Sequence, residues 1–89
     1  MDGKILAISR QCDKDQLEVD IVLQAGNKLA GVEVKAGATV TKDDFKGLYR
    51  LQSQEPAAFV SGVVAYDGDA IVPFGEKFFA VPIAVLTGV

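Results

Sequence analysis

Apolar and polar residues alternate most strictly from Leu17 to Ala25: Leu17, Val19, Ile21 and Leu23 fall on one face of an extended chain, with Glu18, Asp20 and Val22 on the other. Gly26-Asn27 follows, a pair suited to the positive-φ positions of a tight hairpin. Lys28 to Ala36 alternates again, Ala30, Val32, Val34 and Ala36 opposing Gly31, Glu33 and Lys35. Ile5 to Arg10 is a shorter strand ahead of these, joined through the polar stretch Gln11 to Gln16. Three strands with short connections predict an antiparallel meander.

The period then changes. Thr41 is a good helix cap, with Asp44 three residues on where a capping box places Glu or Gln. Val40 and Phe45 have the spacing of a hydrophobic staple. Phe45, Leu48, Tyr49 and Gln52 continue one helical face, while Lys42, Lys46 and Arg50 line another. Gln54-Glu55-Pro56 ends the helix. Phe59 to Tyr66 reads as a Val-rich strand covered on both faces, and Asp67-Gly68-Asp69 as a turn. Ala70 to Phe74 and Phe78 to Ile83 form a short β tail whose prolines favour edge positions. A helix between the third strand and Phe59–Tyr66 implies a crossover and a parallel neighbour. The expectation is one domain over residues 1–89, an α/β (α+β mixed) sheet with one helix on a face.

Composition narrows the chemistry. The 89 residues contain no histidine and one cysteine, Cys12, which removes Ser–His and Cys–His nucleophile pairs, His-ligated zinc and internal disulfides. Apolar types make up 49% and charged types 24%, a globular balance. A net charge of −3 argues against a strongly basic nucleic-acid surface, and the Lys42, Lys46 and Arg50 face reads as solvated. Met1-Asp2-Gly3-Lys4 does not resemble a signal peptide, and Phe78 to Val89, interrupted by Pro82, falls short of the ~20 residues of a helical span. A soluble, cytoplasmic protein without a membrane partner is expected.

A two-residue Gly26-Asn27 loop sets Leu23 opposite Ala30, Ile21 opposite Val32 and Val19 opposite Val34, all apolar pairs. The alternate pairs are Val22 with Gly31, Asp20 with Glu33 and Glu18 with Lys35. Two carboxylates ~5 Å apart repel by about 3 kcal/mol at an effective dielectric of 20, so their opposition is odd for stability alone. A hard divalent cation, Mg²⁺ or Mn²⁺, turns that repulsion into a binding site. Lys35 on the same face would stabilise charge developing on a phosphate. Against this stands the plain alternative of solvated charges on a hairpin's outer face, which spacing alone favours.

The stretches Glu18-Val19-Asp20-Ile21-Val22-Leu23 and Val32-Glu33-Val34-Lys35-Ala36 carry a resemblance, extended by Asp44 to Leu48, Gly62 to Tyr66 and Pro73 to Ile83. Taken in order, they resemble the carboxy-terminal domain of unknown function that follows the ATPase module in many prokaryotic AAA+ proteins. That domain is similar to the restriction-endonuclease-like PD-(D/E)XK superfamily. The resemblance implies that Asp20 and Glu33 are metal-binding acids and Lys35 the catalytic lysine, with Mg²⁺ or Mn²⁺ as cofactor. It also implies a core with flanking helices, whose usual first helix has no counterpart before Ile5. DNA, an ATPase module or a second copy of the chain are the implied partners. The leading expectation is a Mg²⁺-dependent endonuclease-type domain; its rival is a non-catalytic accessory module.

Overall fold

The β2–β3 hairpin forms in the expected register. Ala25↔Lys28, Gln24↔Leu29, Leu23↔Ala30, Val22↔Gly31 and Ile21↔Val32 are paired, and Gly26 turns the chain at φ 63°, a conformation most side chains resist. The computed structural model describes residues 7–12 and 18–88. Its elements are β1 (Ala7–Cys12), β2 (Glu18–Ala25), β3 (Lys28–Val34), a 3₁₀ turn (Lys42–Phe45) leading into α1 (Lys46–Gln54), β4 (Phe59–Tyr66), β5 (Val72–Gly75), β6 (Phe78–Pro82) and α2 (Ile83–Thr87). The strands form one mixed sheet in the order β1-β2-β3-β4-β6-β5. β1, β2 and β3 are antiparallel neighbours, β4 runs parallel to β3 and β6 parallel to β4.

Three expectations shift. The first strand, described from Ala7, extends past Arg10 to take in Gln11 and Cys12, so Cys12 lies in a strand rather than in a polar connection. Ile5, Leu6 and the stretch 13–17 fall outside the described residues. The chain also does not finish in a strand: Ile83–Thr87 is a helix closed by Gly88 at φ 73°. Third, β4 is not covered throughout on both faces. Val64, Ala65 and Tyr66 are buried, but Val60 bulges out of the β3–β4 register and stays 47% exposed.

The helix start follows its sequence signals. Asp44 at the third helical position accepts a hydrogen bond from the Thr41 amide at 2.8 Å, and Val40 packs against the core that Phe45 helps to build. α1 lies on the sheet face carrying Val22, Val64 and Phe78, and Phe45, Leu48 and Val64 have no exposed surface. Aromatic rings fill that layer: Phe45 lies 4.9 Å from Phe74, and Phe78 lies 4.6 Å from Tyr49 and 5.5 Å from Phe59. Gly62 lets the helix approach, because a Cβ there would sit 3.0 Å from the Phe78 ring and 3.1 Å from Leu48 Cβ. Lys42, Lys46 and Arg50 point outward and are exposed.

Candidate functional site

Because Val22 and Gly31 are opposite one another under α1, strand alternation puts Asp20, Glu33 and Lys35 in line with the helix-covered face, at the end of β2–β3 away from the hairpin. The sheet face carrying the apolar pairs is the one α1 leaves uncovered. Parallel β3, β4 and β6 all finish at the acidic end, and ligand sites of open α/β sheets gather at such carboxyl ends. All three residues there are half-buried.

Each has a definite engagement. Regular pairing of β2 with β3 runs as far as Ile21↔Val32, and beyond it the Asp20 carboxylate takes over: its Oδ2 accepts the Val34 amide at 2.8 Å. In an uninterrupted ladder that amide would bond to Val19 across the strands. Asp20 is thus brought against the Glu33–Val34 backbone, although not as the ladder partner of Glu33. Glu33 makes interactions of its own. The Lys35 amide bonds to the Ala65 carbonyl at 2.8 Å, and its Nζ lies 2.7 Å from Asp44 Oδ2. The side chain of Glu18 lies outside what is described, so its pairing with Lys35 is not among the observed contacts.

Asp44 is the member of this cluster that the alternation pattern does not reveal. The residue stood out only as a helix-capping acid, yet its carboxylate also receives the Lys35 ammonium. The Lys35 hydrogen bond, followed by that from the Thr41 amide, holds the Asp44 carboxyl below its ordinary range, against an opposing effect of burial. The clue in the sequence was the short connection from Lys35 to Thr41, which obliges α1 to begin close to the end of β3. Asp67 and Asp69 follow β4 at the same end and are exposed. Tyr66 is buried, its hydroxyl donating to the Ala70 carbonyl, and its ring leaves no space for a Cβ at Gly68.

The donor chemistry suits a hard cation. Among the described residues no group of three His, Cys, Asp or Glu is gathered to hold a metal. An ion here would rest on Asp20 and Glu33 and draw its other ligands from water or phosphate, the habit of Mg²⁺. A cleft of about 470 Å³ opens at the opposite end of the hairpin, between Gln24, Asn27, Gln54 and Glu55. With a single acid and no cation in its lining, it has no comparable chemistry.

Residues 12–86 match the family described as Domain of unknown function (DUF4143). The chain belongs to the DUF4143 family. The matched span of this DUF4143 domain runs from the last residue of β1 into α2, and so contains the hairpin, the α1 crossover and all four residues of the cluster. No curated protein and no solved structure matches the chain. Among the described residues no helix is long and apolar enough to cross a membrane.

Proposed function

We propose that this DUF4143 domain is nuclease-like, with a site of the metal-dependent phosphodiester-hydrolysis type formed by Asp20, Glu33 and Lys35. The observation that supports this reading is the Asp20 carboxylate seated on the Val34 amide, between the acid and the lysine of the Glu33-Val34-Lys35 run. Asp20 and Glu33 would hold Mg²⁺ or Mn²⁺. The ion, when bound, supplies Lewis-acid polarisation of a phosphoryl oxygen and a more acidic water. Lys35 would donate to a phosphate oxygen, moving from Asp44 to do so. Asp44 then gives the ammonium a fixed resting position at the start of α1. The likeness to the domain that follows AAA+ ATPase modules makes DNA the polymer to test first and such a module the partner.

The test is incubation of supercoiled plasmid, and separately of RNA, with the chain and Mg²⁺ or Mn²⁺. Nicking that depends on metal and disappears in Lys35→Ala is the expected result. Equal cleavage by wild type and Lys35→Ala would assign the activity to a contaminant and overturn the proposal.

A second reading is a non-catalytic accessory module. It is favoured by the same cluster's internal partners: the Lys35 ammonium is neutralised by Asp44, and Asp20 completes the hydrogen bonding of β3. Calorimetric titration with Mg²⁺ and Mn²⁺ separates the two. Binding lost in Glu33→Gln supports the hydrolase, and absence of binding to the folded chain supports the accessory module.

A further inference from the structure

The cleft at the hairpin end of the sheet differs in kind from the acidic end. Strand alternation brings Val22, Gln24 and Leu29 to the α1 face there, and the last turn of α1 stands beside them with Leu51 and Gln54. Val22, Leu29 and Leu51 make an apolar floor, and Val22 and Leu51 belong to the buried core. Gln24, Asn27, Gln54 and Glu55 form an exposed rim. The volume of about 470 Å³ lies within the ~300–1,000 Å³ of ordinary ligand clefts. Its charge has one sign. The Glu55 carboxylate has no ion-pair partner among the described residues, where the pair present is Lys35 with Asp44. α1 also ends here, and the last carbonyls of a helix carry partial negative charge. Pro56 has no amide hydrogen to offer the Gln52 carbonyl, and the last turn of α1 holds no basic residue. Lys28 pairs with Ala25 on the other sheet face. Lys77 donates to the Phe59 carbonyl at 3.4 Å and is not part of the lining.

We propose that this cleft receives a lysine or arginine side chain presented by a partner peptide. The methylene stem lies on the Val22, Leu29 and Leu51 floor, and the cationic head meets Glu55 and the carbonyl end of α1. An anionic ligand would find no cation in the lining, and a single carboxylate suits one cation better than a polyamine. The rest of the rim selects a peptide over a free amine. One basic side chain leaves much of the space unfilled, and what remains is bordered by the carboxamides of Gln24, Asn27 and Gln54. A carboxamide both donates and accepts, which matches the flanking peptide units of a bound chain. Gln24 spends its own amide only on a 3.5 Å contact with the Gly26 carbonyl. The proposal does not depend on the hydrolase reading.

Titration of the ¹⁵N-labelled chain with the peptide acetyl-Gly-Lys-Gly-amide tests it. The expected result is saturating shifts of the Gln24, Asn27, Gln54 and Glu55 backbone signals, with those of Asp20, Glu33 and Lys35 unmoved. The same peptide with norleucine in place of lysine keeps the stem and loses the charge, and is expected to bind about three- to fivefold more weakly, the worth of a surface ion pair. Glu55→Gln, a change at an exposed side chain, is expected to weaken the lysine peptide by a similar factor. Glu33→Gln is expected to leave it unchanged, which separates this site from the acidic end. Absence of saturating shifts would overturn the proposal, as would equal binding of the norleucine peptide or indifference to Glu55→Gln. Loss of binding in Glu33→Gln would place the peptide at the other end of the sheet and overturn it too. Butylammonium binding as tightly as the peptide would assign the cleft to free amines and overturn the peptide as occupant.

Discussion

The Asp44 carboxylate receives three donors: Lys35 Nζ at 2.7 Å, the Thr41 amide at 2.8 Å and the Thr41 hydroxyl at 3.4 Å. Its lowered pKa ties stability to pH in a definite direction. A carboxyl whose folded value lies below its unfolded value stabilises the fold fully above the ordinary value of 3.8, and that contribution disappears as acidification passes through the lowered one. Asp44→Asn is therefore expected to cost roughly 1 kcal/mol at neutral pH, the size of a cap and a partly exposed ion pair. In urea melts the gap to wild type closes below about pH 4; a gap independent of pH would show that the charge contributes nothing. Asp20 gives a parallel test. Asp20→Ala leaves the Val34 amide without its acceptor and is expected to cost about 1 kcal/mol, whereas Asp20→Asn keeps an oxygen there and stays close to wild type. Equal melts for wild type and Asp20→Ala would show this bond to be dispensable. Of the cluster, Asp20, Glu33 and Lys35 are legible from alternation. Their engagement with the Val34 amide and with Asp44 is not, because side-chain reach across a strand end leaves no periodic trace.

Packing between α1 and the sheet turns on Gly62. The atoms that an added Cβ would meet belong to Leu48, which is fully buried, and to Phe78, whose ring is held by Phe45, Tyr49 and Phe59. Neither can retreat cheaply, so Gly62→Ala is expected to destabilise the fold by about 1–3 kcal/mol, read from denaturant midpoints. A neutral result would mean that α1 slides away from β4 at little cost. At this scale the sequence carries much of the outcome. β4 has the expected bounds, and the Gly26-Asn27 turn sets the hairpin register. Ile83-Ala84-Val85-Leu86 was not legible as a helix, since a short apolar run fits helix and strand alike. Nor was the face that α1 covers. Alternation gathered the apolar pairs of the hairpin on one side, while the large rings of Phe45, Phe59 and Phe78, with Gly31 and Gly62 beneath, built the core on the other.

For the molecule as a whole, the sheet carries α1 on one face, and α2 packs against β4 and β6. The two lateral rims of the sheet differ in a way that bears on larger assemblies. The rim at β5 is four residues long and includes Pro73, which has no amide hydrogen to donate. Incoming strands therefore find no continuous template on that side, and a filament built by adding strands end over end would have to grow from the β1 rim alone. Two copies joined there would exhaust the open rims, so lateral growth of this kind closes at a pair instead of running on into a fibre.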